Sequence, residues 1–287
     1  MVLQIKHPMK HLIKFTIAIH RKRDRRRAKR EFGKRRVARL KLVLVILFFI
    51  LLIWSASKQT GVSIAELLAN ISNMGALIDQ MFPPDWSYFN YITQAMLETI
   101  RMAVLGTTFG GLAAIPFALL ASRNIVKTKW VYVPFRFIMN LIRTIPELLL
   151  AALFVPIFGI GFVSGIFALG VFSFGVIAKL AYESVEAIDD GPLEAMTAVG
   201  ANKIQWIFLG VVPQVVAPYM SYFLYCFEIN VRAAAILGYV GAGGIGLYLS
   251  RTLGFLQYDR VMSIILYTFV VVLIIDGLSN RIREKLI

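Results

Sequence analysis

Apolar residues in this chain come in long uncharged blocks, not in short alternating runs. The first block, Leu42 to Ser57, carries no charge over sixteen residues. That is short for a hydrocarbon layer about 30 Å thick, but Arg39 and Lys41 can lengthen it by laying their stems along apolar surface. A second block, Met102–Ser122, is uncharged for 21 residues and holds Gly106, Gly110, Gly111 and Pro116. Apolar sequence then runs from Phe137 to Ile177, 41 residues broken by Arg143, Pro146, Glu147 and Gly159-Ile-Gly161. That stretch is too long for one crossing and suits two joined by a tight external turn. Blocks at Val211–Leu237 and Val261–Ile275 complete the set. The pattern predicts an all-α polytopic membrane protein with about six transmembrane helices.

Composition agrees with residence in a membrane. Of 287 residues, 58% are hydrophobic and 16% charged, and mean hydropathy is +0.71. Soluble domains run nearer about 45–50% apolar and 25% charged. The net charge of +15 suggests a nucleic-acid partner until it is located. Residues 1–41 hold 16 of the 31 Lys and Arg against Asp24 and Glu31, while the rest carries 15 basic and 14 acidic side chains. One tail makes the protein basic. A nucleic-acid binder spreads its charge over a folded face, so no nucleic acid is expected as a partner. Cys226 stands alone, and His7, His11 and His20 all lie in the tail. The spans therefore lack the usual ligands and bases of a metal site or a catalytic triad, and no catalytic or metal-binding residue is expected.

The expected organisation is a basic tail (1–41), a first transmembrane helix (42–57), an extracellular-side segment (58–95), a core of five helices (96–280) and a basic end (281–287). A polar loop, 182–210, interrupts the core. The mixed segment has Pro83-Pro84, an amphipathic stretch at Ser63–Leu77, and Glu66, Asp79 and Asp85 against Lys58. Ser55-Ala-Ser57 resembles a signal-peptide cleavage site, but a charged region 41 residues long is far too long for the segment that precedes one. The tail, the loop bearing Arg123, Lys127, Lys129 and Arg136, and the end Arg281–Lys285 all fall on one side of six crossings. Basic loops belong inside, which puts both termini in the cytoplasm. Trp54, Trp130 and Trp206 fall near predicted span ends, where interfacial aromatics collect.

Residues Asp189–Ala201 read as a short, well-punctuated helix. Asp190 or Gly191 can cap it, Pro192 suits its first turn, and Glu194 complements the positive end. Gly200 can take the left-handed conformation that stops it. Two turns are not stable alone in water, so the helix must pack on a partner protein or, as an ordinary loop helix, on its own spans.

Here the chain resembles the permeases of binding-protein-dependent ABC importers. Their cytoplasmic loop has the form Glu-Ala-Ala, three residues, Gly, nine residues, Ile-x-Leu-Pro. This chain has Glu194-Ala195-Met196, Gly200 and Gly210-Val211-Val212-Pro213 at the same spacing, with Met196, Gly210 and Val212 departing from the pattern. Arg143-Thr-Ile-Pro-Glu147, Phe227–Gly238 and Gly241-Ala-Gly-Gly-Ile-Gly246 extend the likeness to methionine- and phosphonate-type (MetI-like) permeases. The Ile-Pro-Glu-Leu-Leu run leans toward the phosphonate branch (PhnE-like). The resemblance covers about residues 90–280.

It implies a non-catalytic, multi-pass subunit of the bacterial inner membrane that imports phosphonate or a related oxyanion. Phosphate, phosphite or an amino acid such as methionine is the alternative cargo. It further implies a second copy of the chain, two cytoplasmic ATPases that bind ATP and Mg, and an extracytoplasmic solute-binding protein. No cofactor is expected in this chain. Glu194, Ala195, Gly200 and Pro213 would form the ATPase-coupling element, with Pro213 setting the angle of re-entry into the bilayer.

Other motifs are weaker. Gly241-x-Gly243-x-x-Gly246 matches a dinucleotide fingerprint but follows no strand. It reads instead as a tight turn or external gate containing Gly241, Gly243 and Gly244. No P-loop occurs. Glu98/Arg101, Arg143/Glu147 and Glu228/Arg232 are spaced to share a helix face, serving either as structural pairs or, through Arg143, Glu147, Glu228 and Arg232, as a substrate pathway. Gly106-x-x-x-Gly110 permits close helix approach, either internally or across a dimer. A stand-alone channel is the rival of a different class; it would not need the Glu194–Gly200 loop.

Overall fold

The computed structural model describes residues 41–61 and 64–286. The basic tail and its histidines lie outside the described residues. The chain divides into a unit ending at Met74 and a second unit, Gly75–Ile287. In the first, the leading apolar block forms α1, Lys41–Thr60, slightly longer than its uncharged run. The amphipathic stretch becomes α2 (Ile64–Ala69) and α3 (Ile71–Met81), the latter continuing past the boundary.

The second unit contains α4 (Tyr88–Ala121), α5 (Lys129–Arg143), α6 (Glu147–Phe158), α7 (Phe162–Glu186), α8 (Asp190–Ala198), α9 (Lys203–Gln205), α10 (Val212–Leu237), α11 (Ile245–Gly254) and α12 (Tyr258–Leu286). Among the described residues, five helical runs are long and apolar enough to cross a membrane: α1, α4, α7, the Lys203–Val240 run that contains α10, and α12. The pair α5 and α6 makes a sixth, bent by 89°. That bend falls at the Arg143–Glu147 interruption of the third apolar block and divides the crossing in two. Pro146 has no N–H to donate and forces the residue before it out of the helical region, so Thr144 and Ile145 close the first helix and Pro146, extended at ψ 142°, begins the second.

Two boundaries also differ from expectation. α4 starts fourteen residues before the uncharged block, so Glu98 and Arg101 belong to it. α7 continues through Glu186, well into the segment expected to be polar loop. A charge does not end a helix when its side chain can reach headgroups or water; Arg101 is exposed.

The core is a seam between α4 and α7. In lipid, apolar surface alone gives helices no reason to associate, so packing depends on close approach. A Cβ on Gly106 would lie 2.7 Å from Leu169 Cβ, and one on Gly110 would lie 2.6 Å from Ser173 Cβ. The Gly-x-x-x-Gly motif is therefore consumed by internal packing. Asn230 of α10 adds a polar staple, donating from Nδ2 to Thr107 Oγ1 at 2.7 Å and to Ser173 Oγ at 2.6 Å. Both hydroxyls donate onward to carbonyls of their own helices, Ala103 and Leu169. Apolar clusters flank the staple, one around Met102, Leu169 and Leu237, the other around Met139, Ile177 and Cys226. The glycine turns also meet: Gly161 donates its N–H to Gly241 O at 2.9 Å.

Candidate functional site

α8 stands at one end of the second unit, presented outward. Its cap is Asp189, whose carboxylate accepts from the Gly191 N–H at 3.1 Å. That is one residue before Asp190 and two before Gly191, the caps expected from sequence, because Asp189 is the last residue with extended backbone (ψ 133°). The stop is as expected: Gly200 adopts φ +73°, and Ala201 N–H closes on Met196 O at 3.0 Å. Of the nine residues in α8, only Leu193 is buried, in a cluster with Val185, Val211 and Val215. Glu194, Ala195 and Gly200 are all exposed.

What fixes α8 was not legible from its own residues. Trp206 Nε1 donates to Leu193 O at 3.1 Å, and the Lys203 ammonium lies 4.5 Å from the indole centroid. Trp206 is thus a pin for α8, a role its place near a span end did not reveal. Gln214 donates to Gly210 O at 2.8 Å while its Oε1 accepts from the Asp189 N–H at 3.0 Å. Asn202 and Gln205 form a reciprocal capping box, a signal present in the sequence and overlooked. Pro213 does not redirect the chain: Lys203–Val240 runs on as one helical stretch. The turn before it, Trp206–Val211, is a π-helix in which the Val212 N–H reaches Ile207 O. The wider turn accommodates the N–H that Pro213 lacks.

The root of α8 is clasped to the bundle. Glu186, the last residue of α7, accepts from Arg136 Nη2 of α5 and from the Arg123 backbone N–H at 2.8 Å. Arg136 Nε also donates to Ala121 O at 2.8 Å, and its guanidinium lies 4.7 Å from the Tyr182 ring centroid. One carboxylate and one guanidinium thereby tie the ends of α4 and α7 to the middle of α5. Sequence reading took Arg123 and Arg136 only as loop charges and missed Glu186, whose partners lie 50 and 63 residues away.

The three expected charge pairs fare differently. Glu98 and Arg101 form no ion pair, and neither do Arg143 and Glu147, which the Pro146 bend separates. Glu228 and Arg232 do pair at 3.1 Å. α12 enlarges that pair into a network: Arg232 reaches Asp276 at 2.9 Å and Arg283 reaches Glu228 at 2.7 Å. With two carboxylates on Arg232, little positive potential remains for an anion. Gly241, Gly243 and Gly244 all have positive φ, and the turn they make is braced on α4, with Ile245 N–H donating to Thr99 Oγ1 at 2.8 Å.

Long apolar helices, one of them broken, and a short exposed helix pinned between α7 and α10 define a multi-pass membrane protein. The chain belongs to the family of binding-protein-dependent transport system inner membrane components, whose pattern matches residues 106–287. The phosphite transport system permease protein PtxC of Stutzerimonas stutzeri is 33% identical over 218 residues, covering 76% of this chain and 79% of that protein. The phosphate-import permease protein PhnE of Mycolicibacterium smegmatis is 37% identical over 221 residues, covering 77% of this chain and 42% of that one. Among solved structures, an inward-facing MetNI methionine ABC transporter chain matches with a TM-score of 0.64 at 22% identity, over 71% of this chain and 99% of that one. That last likeness establishes the fold.

Proposed function

We propose that this chain is the membrane-spanning permease subunit of an ATP-driven importer that carries a phosphonate or a related phosphorus oxyanion into the cell, with ATP hydrolysed by a partner subunit. The observation that carries the proposal is the construction of α8: capped, stopped and pinned at its root, yet with eight of its nine residues outside the core. Such a helix cannot hold itself together in isolation. Anchored by Leu193 and Trp206, it can pass a push on its exposed face into α7 and α10. Glu194 and Ala195 sit on the outward face, Glu194 suited to a basic groove and Ala195 to close approach.

In this reading two ATPases bind ATP and Mg on the cytoplasmic side and close together, each moving one copy of the permease as a rigid body to give alternating access. A solute-binding protein delivers cargo at the opposite end, and both termini of the chain face the cytoplasm. Phosphite and phosphate are the alternative cargoes, supported by the names of the relatives at 33% and 37% identity. The methionine system shares the fold only, so an amino acid cargo has less support.

The test is reconstitution with the ATPase and binding protein in liposomes. Glu194→Arg and Ala195→Glu are each expected to abolish ATP-dependent uptake of methylphosphonate while insertion and thermal unfolding stay as in the wild type. Full-rate transport by both variants would falsify the coupling role.

A further inference from the structure

We propose that the cleft at the end of the bundle opposite α8 is a binding site for a phosphorus oxyanion, receiving cargo at the outer mouth before translocation. The outer placement rests on the importer reading above. The cleft lies between the amino ends of α4 and α12 and one face of α11, encloses about 420 Å³, and is bordered by Arg251, Arg260, Ser87 and the rings of Tyr88, Tyr91 and Tyr248. It is far from the coupling end: α4 has 34 residues, so Tyr88 stands about 50 Å from the Ala121 end that the α8 clasp holds.

The charge in this cleft is not already consumed. The Arg251 side chain makes no ion pair or hydrogen bond among the described residues. Arg260 donates from Nη1 to Gln257 Oε1 at 3.1 Å and approaches Asp85 Oδ2 through Nε at 3.5 Å, which leaves Nη2 without a partner. Asp85, the one acidic group of the lining, is satisfied chiefly by its own chain. The Ser87 hydroxyl and the Ser87 N–H both donate to its Oδ1, and that hydroxyl is the main influence holding its carboxyl below the ordinary value. The lining therefore sums to one net positive charge. This is the reverse of the Glu228–Arg232–Asp276–Arg283 network, where each guanidinium faces a carboxylate at 2.7–3.1 Å.

The surroundings suit a small oxyanion. A guanidinium presents paired donors that match the oxygens on phosphorus. The amino ends of two long helices border the cleft, and their partial positive charge favours an anion. Arg260 is held over the Tyr88 ring at 5.2 Å, Tyr88 stacks on Tyr91 at 5.5 Å, and Tyr91 meets Tyr248 edge-on at 5.6 Å. These ring contacts fix the phenols, whose hydroxyls have no partner among the described residues. A volume of 420 Å³ is in the range of small-molecule sites and leaves room for the anion with part of its water.

The probe is methylphosphonate, titrated without binding protein onto the permease–ATPase complex in phosphatidylcholine nanodiscs and followed by phosphorus NMR line broadening. Saturable binding is expected, weakened about tenfold by either Arg251→Gln or Arg260→Gln, the cost of one charge-assisted hydrogen-bond pair. Arg281→Gln, about 30 Å along α12 from Arg260, leaves it unchanged. Equal binding in all three variants overturns the site. A lipid headgroup offers the same chemistry, so a second set of discs contains phosphatidylglycerol. If only the lipid resonance responds to the two arginines, the site belongs to the headgroup and the cargo role fails. If the variants lose binding-protein association but retain methylphosphonate, the cleft is a protein dock and the proposal also fails. Uptake separates this inference from the one beneath it. A wild-type rate and KM in Arg251→Gln liposomes sinks the cleft alone, whereas absence of uptake by the complete wild-type system sinks the importer reading.

Discussion

The α4–α7 seam and the α8 helix solve opposite problems. The seam has no room: two glycines and a serine bring backbones together, and buried Asn230 reaches hydroxyls on both helices. α8 is nearly all surface, fastened by one buried leucine, one indole N–H and one glutamine. In the seam the two backbones approach within side-chain distance of each other, so force is carried by shape. At α8 a few separable polar bonds set position, which leaves the outer face free for another protein. A transport subunit needs both, a stiff bundle and a graspable handle.

That contrast predicts a graded series of mutational effects. Gly110→Leu should be the most damaging, because a side chain there must displace α7; overpacking of about 3 kcal/mol or more should prevent accumulation of folded protein. A wild-type midpoint in detergent thermal unfolding would mean that the seam yields. Arg136→Ala should come next, since it strands the partly buried Glu186 carboxylate at the root of α8. The expected loss is about 2 kcal/mol, and pairing it with Glu186→Gln should recover part of the loss; no recovery would show that the clasp is not a unit. Trp206→Phe keeps the ring and removes only the donor to Leu193, so stability should fall by about 1 kcal/mol or less. ATP-coupled uptake should fall disproportionately while insertion is unchanged. Equal losses in stability and uptake would erase the distinction between seam and handle.

Much of the site was readable. The uncharged blocks and their turns were in the right order, and the segment from Asp189 to Gly200 is a helix with the left-handed stop expected at Gly200. The i,i+4 pair Glu228/Arg232 was visible because both members share one helix. Its partners Asp276 and Arg283 were not, since nothing in spacing links residues 44 and 55 positions apart. Arg143/Glu147 misled for a related reason: four-residue spacing implies one face only if the helix is continuous, and Pro146 ends it. Trp206 was legible only as an aromatic near a span end, because only the position of the Leu193 carbonyl reveals that it pins α8.

By itself the sequence determined residence in a membrane, the approximate number of crossings, the small helix between spans and the absence of a P-loop. These follow from composition and local backbone preference, which need no knowledge of neighbours. The tertiary structure decided which charges are neutralised and which stay open, where the third span breaks, and what holds α8 in place. Those outcomes depend on distances between residues remote in the chain. The same arginine is a clasp at position 136, one member of a closed network at 232 and an unspent charge at 251.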